Sequence, residues 1–86
     1  MGQLQADAAE DRSESLQLLV RPSCMLCLEA EHVLLLAGID RFERIDIERD
    51  ATTESLYGAR IPVLRRPGDG RELDWPFTPE AARSLA

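Results

Sequence analysis

Residues 16–38, LQLLVRPSCMLCLEAEHVLLLAG, hold the pattern from which the architecture follows. The first five of these residues are mostly apolar and predict a short buried strand. The tripeptide RPS at 21–23 ends that strand, because proline cannot donate a hydrogen bond to a sheet. Residues 25–37 then predict a helix, with Ser23 or Cys24 as its N-cap and Gly38 just beyond its end. Both cysteines of the chain therefore lie where a strand passes into a helix.

Apolar residues recur along this predicted helix at helical spacing. We expect the face that packs on the sheet to consist of Leu26, Ala30, Val33, Leu34 and Ala37. Three more leucines widen the apolar surface, and they are Leu28, Leu35 and Leu36. The pattern thus predicts a helix that is covered over much of its circumference.

The rest of the chain predicts further strands and helices in alternation. We expect strands at 42–47, 61–64 and 71–74, and helices at 50–57 and from Thr78 onward. Residues 67–70 read PGDG, in which Asp-Gly predicts a hairpin turn. Strands joined by helices should be parallel, and those of the hairpin antiparallel. The predicted fold class is α/β, of order βαβαββα, with a four-stranded mixed sheet flanked by helices.

Length and charge exclude several classes of protein. The chain has 86 residues, which allow one domain. It has 16 acidic residues against 10 basic ones, all of them arginine, and a net charge of -6. An acidic chain is poorly suited to bind nucleic acid or an anionic membrane surface. Residues 1–14 contain four acids and one arginine, which predicts a flexible acidic N-terminal tail ahead of a folded domain at 15–86.

The start of the chain has no apolar segment typical of a secretory signal. Two cysteines are too few for a disulfide-stapled secreted scaffold or for a zinc site built from cysteine alone. We therefore expect a cytoplasmic monomer, in a compartment where two close cysteines are more often catalytic or metal-binding than structural.

The Cys24-Met25-Leu26-Cys27 segment carries the chemical content of the sequence. A cysteine at a helix N-terminus meets free N–H groups and the helix dipole, which favour its thiolate. Residues three apart at the start of a helix are close enough for a disulfide. On a helical wheel Cys27 lies toward the apolar side and Cys24 toward Glu31. This predicts an exposed attacking thiol at Cys24 and a sheltered resolving thiol at Cys27.

Three other interpretations of the pair stay open at this point. The cysteines could be inert core thiols, or half of a metal site for which His32 is the one other soft ligand. They could also belong to a small metal-transfer domain, which carries the same C-x-x-C spacing after its first strand. Such domains follow the first helix with a hairpin, whereas here a helix is predicted at 50–57.

With these motifs the chain resembles the thioredoxin-fold superfamily and, more narrowly, the small bacterial glutaredoxin-like proteins. The resemblance is carried by the C-x-x-C segment, by Tyr57-Gly58, by RIPVL at 60–64 and by ELDWPF at 72–77. It implies a thiol-disulfide oxidoreductase with a role in cell redox homeostasis. Such a protein would reduce protein or glutathione mixed disulfides through Cys24 and Cys27.

The resemblance also assigns roles to residues near Pro62. It implies that Pro62 is a cis-proline facing the cysteines, and that Ile61 pairs with an extended substrate by strand-like hydrogen bonds. Arg21 and Arg60 flank these two segments. They are candidate substrate-binding residues because arginine binds carboxylates bidentately and glutathione carries two. An excess of arginine near Pro62 predicts a neutral or basic active face.

Two departures from the family pattern favour an alternative function. Glutaredoxins have proline and an aromatic residue between the cysteines, where this chain has Met25-Leu26, and they have a Gly-Gly stretch that has no match after Leu64. We expect no metal and no tightly bound cofactor, with glutathione as a candidate co-substrate. The alternative is a non-catalytic thioredoxin-fold module that binds a partner, an iron–sulfur cluster or another metal.

Overall fold

The computed structural model of the protein describes residues 16–86. The predicted N-terminal tail at 1–14 lies outside the described residues. The elements in chain order are β1 (Leu16–Val20), α1 (Met25–Leu36), β2 (Phe42–Asp46), a 3-10 turn (Ile47–Arg49), α2 (Ala51–Tyr57), β3 (Val63–Arg66), β4 (Arg71–Asp74) and α3 (Pro79–Leu85). The predicted order βαβαββα is confirmed.

The four strands form one mixed sheet in the order β2-β1-β3-β4. β1 and β2 are parallel, whereas β3 is antiparallel to both β1 and β4. The expectation that all strands joined by helices run parallel is therefore wrong for β3. A helix the length of α1 spans about 18 Å and can return the chain along a strand, but one the length of α2 spans only about 10 Å. After α2 the chain is therefore still near the C-terminal end of β2. β3 begins at that edge of the sheet and runs in the opposite direction to β1 and β2.

This topology brings two distant segments to one edge of the sheet. β1 ends at Val20 and leads into the cysteine loop, and β3 begins at Val63. Leu19 is paired with Val63, and continuing this antiparallel register sets Pro62 opposite Val20. The third strand begins two residues later than predicted, because the Ile61 N–H donates to the Tyr57 carbonyl (3.1 Å) and proline has no N–H to donate.

Helices cover both faces of the sheet. α1 and α3 pack on one face, where the core contains Leu18, Leu34 and Leu64, none of them exposed. The core on the other face is smaller. It buries Leu19, Ile47 and Val63, and Tyr57 of α2 packs against them. The described residues contain no helix long and apolar enough to cross a membrane.

The outer face of α1 differs from the prediction. Only Cys27, Ala30 and Leu34 of this helix are buried, together with Ala37 just after it. Leu26 was predicted on the core face but is 47% exposed, and the three leucines expected to be covered (Leu28, Leu35 and Leu36) are 60–61% exposed. A helix lying on a sheet is covered along one stripe, and no described element packs on the opposite side.

Candidate functional site

The two cysteines are joined as a disulfide at the N-terminus of α1. Cys24 is the N-cap, with an extended backbone, and its sulfur accepts a hydrogen bond from the Cys27 N–H at 3.1 Å. The Cα atoms lie 5.2 Å apart, within the range that a disulfide spans. The predicted feasibility of this bond is confirmed, and Cys24 rather than Ser23 caps the helix.

Burial distinguishes the two sulfur-bearing residues. Cys27 is 3% exposed, whereas Cys24 is half-buried. Both cysteines line an open depression of about 300 Å³, together with Ser23, Met25 and Leu28. This agrees with the helical-wheel placement of the pair. A substrate sulfur in the depression can approach Cys24, which is the more exposed of the two.

Arg21 fastens the cysteine loop to α2. Its guanidinium donates to the Gly58 carbonyl at 3.1 Å and pairs with Glu48 at 3.4 Å and Glu54 at 3.7 Å. Ser23, in the same loop, has a φ of 60°, in the left-handed region that is uncommon for residues other than glycine. Arg21 was predicted to bind a substrate carboxylate. Its guanidinium instead pairs with two carboxylates of its own chain, those of Glu48 and Glu54.

Ile61 and Pro62 lie at the same sheet edge as the cysteine loop. The Ile61–Pro62 peptide bond is cis, as is Trp75–Pro76. Pro62 is buried and Ile61 is half-buried against the Leu19, Ile47 and Val63 cluster. The topology therefore gathers both segments that were predicted to form the site.

Arg60 belongs to a charged cluster that the sequence did not suggest. Its guanidinium pairs with Glu72 at 2.8 Å and Asp74 at 2.6 Å and lies over the Tyr57 ring. The Tyr57 hydroxyl also donates to Glu72. The one available sign was the i, i+2 spacing of Glu72 and Asp74, which puts two acids on one face of a strand. The cluster ties the end of α2 and the segment before Pro62 to β4.

The arginine excess near Pro62 is largely neutralised within the fold. Arg65 approaches Glu72 at 3.7 Å, and Arg66 approaches Asp69 at 3.9 Å and donates to the Leu85 carbonyl. Together with the pairs of Arg60, these contacts leave little free positive charge there. Arg71, the fourth arginine of this segment, is exposed at the start of β4, and a neutral or basic active face stays a prediction.

The described residues also bear on the metal-site interpretation of the cysteines. Within residues 16–86 no group of three or more His, Cys, Asp or Glu side chains could hold a metal ion. His32 is exposed on α1.

The cluster around Glu72 should make stability sensitive to acid. Hydrogen bonds from Tyr57 and then Arg60 lower the pKa of Glu72 from its ordinary 4.5. A carboxyl whose pKa is lower in the folded state stabilises the protein above the unfolded value and loses that contribution as the pH falls through the folded value. We expect the free energy of unfolding in urea to decline below pH 4.5, and to decline less in Glu72→Gln.

Glu43→Gln is the control for this prediction, because Glu43 is an exposed residue of β2 outside the cluster. Its acid dependence should match that of the wild type. Parallel curves of unfolding free energy against pH for the wild type and Glu72→Gln would contradict the assignment.

Comparison with known proteins adds a family and two solved structures. The family model described as Glutaredoxin-like domain (DUF836) matches residues 15–84. An X-ray structure of the Northeast Structural Genomics target protein XcR50 from X. campestris is 46% identical, with a TM-score of 0.74 over 81% of this chain and 92% of that chain. A solution structure of the same target is also 46% identical, with a TM-score of 0.74 over 81% and 88%. No curated protein matches the chain.

Proposed function

Because the chain belongs to the glutaredoxin-like domain family, we propose that it is a thiol-disulfide oxidoreductase. Its thioredoxin-like fold and its C-x-x-C pair support a thiol-disulfide redox role. In this proposal it reduces disulfides on proteins, or mixed disulfides with glutathione, through the dithiol form of Cys24 and Cys27. Glutathione is a candidate co-substrate, and no tightly bound cofactor is needed.

One observation carries the proposal, namely the position of Cys24 as the cap of a 12-residue helix. Its sulfur accepts the Cys27 N–H at 3.1 Å, and the first-turn N–H groups and the helix dipole favour negative charge at that atom. The thiolate is the attacking species in disulfide exchange. The Cys24 sulfur is also close enough to form a disulfide with Cys27, the residue that must later displace the substrate.

The reaction then proceeds in two exchanges. The Cys24 thiolate attacks one sulfur of the substrate disulfide, forms a mixed disulfide and releases the other sulfur as a thiolate, which takes up a proton. The Cys27 thiolate next attacks the Cys24 sulfur, which releases the second substrate thiol. The substrate gains two electrons and two protons, and the protein is left with the Cys24–Cys27 disulfide. Two equivalents of an external thiol, such as glutathione, return the pair to the dithiol and are themselves joined as a disulfide.

Ile61 and Pro62 are proposed to hold the substrate beside Cys24. The Ile61 N–H is already donated to Tyr57, so in this proposal the Ile61 carbonyl accepts from an N–H of an extended substrate. Arg21 and Arg60 are less suited to bind substrate directly, since both pair with acids of the chain. They are better described as positioning residues for the two segments of the site.

The proposed setting is the cytoplasm, where the protein would contribute to cell redox homeostasis. The glutathione and thioredoxin systems there keep dithiols reduced, which is the form that the mechanism requires. A disulfide-bearing protein or glutathione is the partner, and the protein acts as a monomer.

A redox titration with thiol trapping tests the proposal. In buffers of defined potential, alkylation should report a reversible two-electron transition between dithiol and disulfide, at a potential of roughly -300 to -120 mV. Cys24→Ser has one thiol and should show no such transition. A wild-type pair that stays reduced, or stays oxidised, across this range would favour the alternative of a non-catalytic binding module.

A further inference from the structure

An apolar groove runs along the outer side of α1, beside the loop that follows β4. It has a volume of about 400 Å³, and its walls include Met25, Leu28, Val33 and Trp75. Met25 is 72% exposed and Leu28 is 60% exposed. Isolated exposed apolar residues are common, but a contiguous group of them in a concave surface is typical of a binding site.

The groove is continuous with the cysteine site. Met25 and Leu28 line both the groove and the depression that contains Cys24. A segment with one side chain in the groove can therefore place a neighbouring residue in the depression beside Cys24. The far wall is fixed in place, because Trp75 packs edge-to-face on the buried Phe77, with ring centroids 5.2 Å apart.

The charges around the groove disfavour an anionic ligand. Arg21 and Arg60 pair with acids of the chain, and Glu31 is held by two hydrogen bonds from Arg44 at 2.7 and 2.8 Å. Glu29 and His32 both line the groove, and Glu29 has no ion pair with any residue in 16–86. Glutathione presents two carboxylates, whereas the described lining of the groove consists of apolar side chains, one acid and one imidazole, with no arginine to pair with a carboxylate.

We propose that the preferred substrate is a protein disulfide whose cysteine is flanked by a bulky apolar residue and a basic one. The apolar side chain occupies the groove between Leu28 and Trp75, and the basic side chain pairs with Glu29. This inference rests on the proposed function and narrows it, because oxidised glutathione becomes the poorer substrate. The exchange itself is the one already described, with two electrons passing from the dithiol to the substrate disulfide.

Two capped peptides, each oxidised to its symmetric disulfide, provide the test. One carries Leu and Lys beside its cysteine, and the other carries Ser and Glu. The fully reduced protein is mixed with excess peptide disulfide, without a recycling reductant, and the reaction is stopped in acid so that the thiols remaining on the protein can be counted separately from those released on the peptide. Burial of one apolar side chain should make the Leu/Lys peptide react about tenfold faster than the Ser/Glu peptide, and oxidised glutathione should resemble the latter.

Leu28→Ser and Leu35→Ser are matched variants of this test. The two leucines are one heptad apart on α1 and are 60% and 61% exposed, but Leu35 does not line the groove. Leu28→Ser should lower the ratio of the Leu/Lys rate to the Ser/Glu rate severalfold. Leu35→Ser should leave that ratio as it is in the wild type.

The outcomes separate this inference from the proposed function. Equal wild-type rates with all three substrates would overturn the inference and leave the oxidoreductase function standing. An unchanged rate ratio in Leu28→Ser would do the same. If the wild type reduces none of the substrates, the function fails and the inference with it. A dimer in sedimentation that Leu28→Ser dissociates and Leu35→Ser does not would show a second copy in the groove, which also overturns it.

Discussion

Replacing Cys24 with serine is expected to lower disulfide-reductase turnover by roughly a thousandfold or more, because the attacking atom is removed. A serine hydroxyl at the helix cap can still accept the Cys27 N–H, so the fold should survive. Turnover is measured with a peptide disulfide and a recycling thiol, and circular dichroism verifies the fold. Full activity in Cys24→Ser would show that this assignment is wrong.

Cys27→Ser is the informative companion variant. The first exchange at Cys24 should still occur, but the 3%-exposed resolving thiol is missing, so the mixed disulfide should persist. Mass spectrometry of the intact protein should then find the substrate half attached at Cys24. If Cys27→Ser formed no adduct while Cys24→Ser did, the roles of attacker and resolver would have to be exchanged.

Replacing Leu34 with alanine is expected to cost about 3 kcal/mol of unfolding free energy. Leu34 has no exposed surface and packs between β1, β3 and α3, so its truncation leaves a cavity that the sheet cannot easily close. Domains of this size are stable by only about 5–15 kcal/mol, which makes the loss a large fraction of the total. Urea unfolding followed by circular dichroism measures it.

Leu35→Ala is the matched control, because Leu35 is the adjacent residue of the same helix and is 61% exposed. Its truncation should change the unfolding free energy by less than about 0.5 kcal/mol. Similar losses in the two variants would mean that the outer face of α1 is covered as well.

Most secondary-structure elements could be predicted because their signals are local. The N-cap at Cys24, the Thr78-Pro79 helix start and the Asp69-Gly70 turn each depend on a few adjacent residues and their own backbone groups. Gly70 has a φ of 75°, a conformation that glycine adopts without strain. The catalytic candidates could be predicted for the same reason, since the C-x-x-C spacing and the strand–helix junction lie within one short segment.

The outer face of α1 could not be predicted from composition. Apolar residues occur around the whole helix, and the hydrophobic pattern does not say which of them another element will cover. The burial of Leu34 beside an exposed Leu35 depends on where α3 and the sheet lie. Neither position is encoded in the helix itself.

The roles of the arginines changed for a related reason. Arg21 and Arg60 are near the site in sequence, and free cations there would suit a glutathione carboxylate. Their actual partners, Glu48 and Glu72, are 27 and 12 residues away along the chain. Ion pairs form between side chains that the fold brings together, so sequence proximity to the site did not indicate which carboxylates these guanidinium groups would bind.

The amino-acid sequence alone therefore determined the order of elements, the family and the cysteine pair with its capped helix, because each depends on short-range spacing. The tertiary structure determined that β3 runs antiparallel to β1, and so that Pro62 meets the cysteine loop at one edge of the sheet. It also determined which charges are neutralised and which apolar side chains stay exposed beside Cys24. These features depend on contacts between segments far apart in the chain, and such contacts exist only once the sheet has formed.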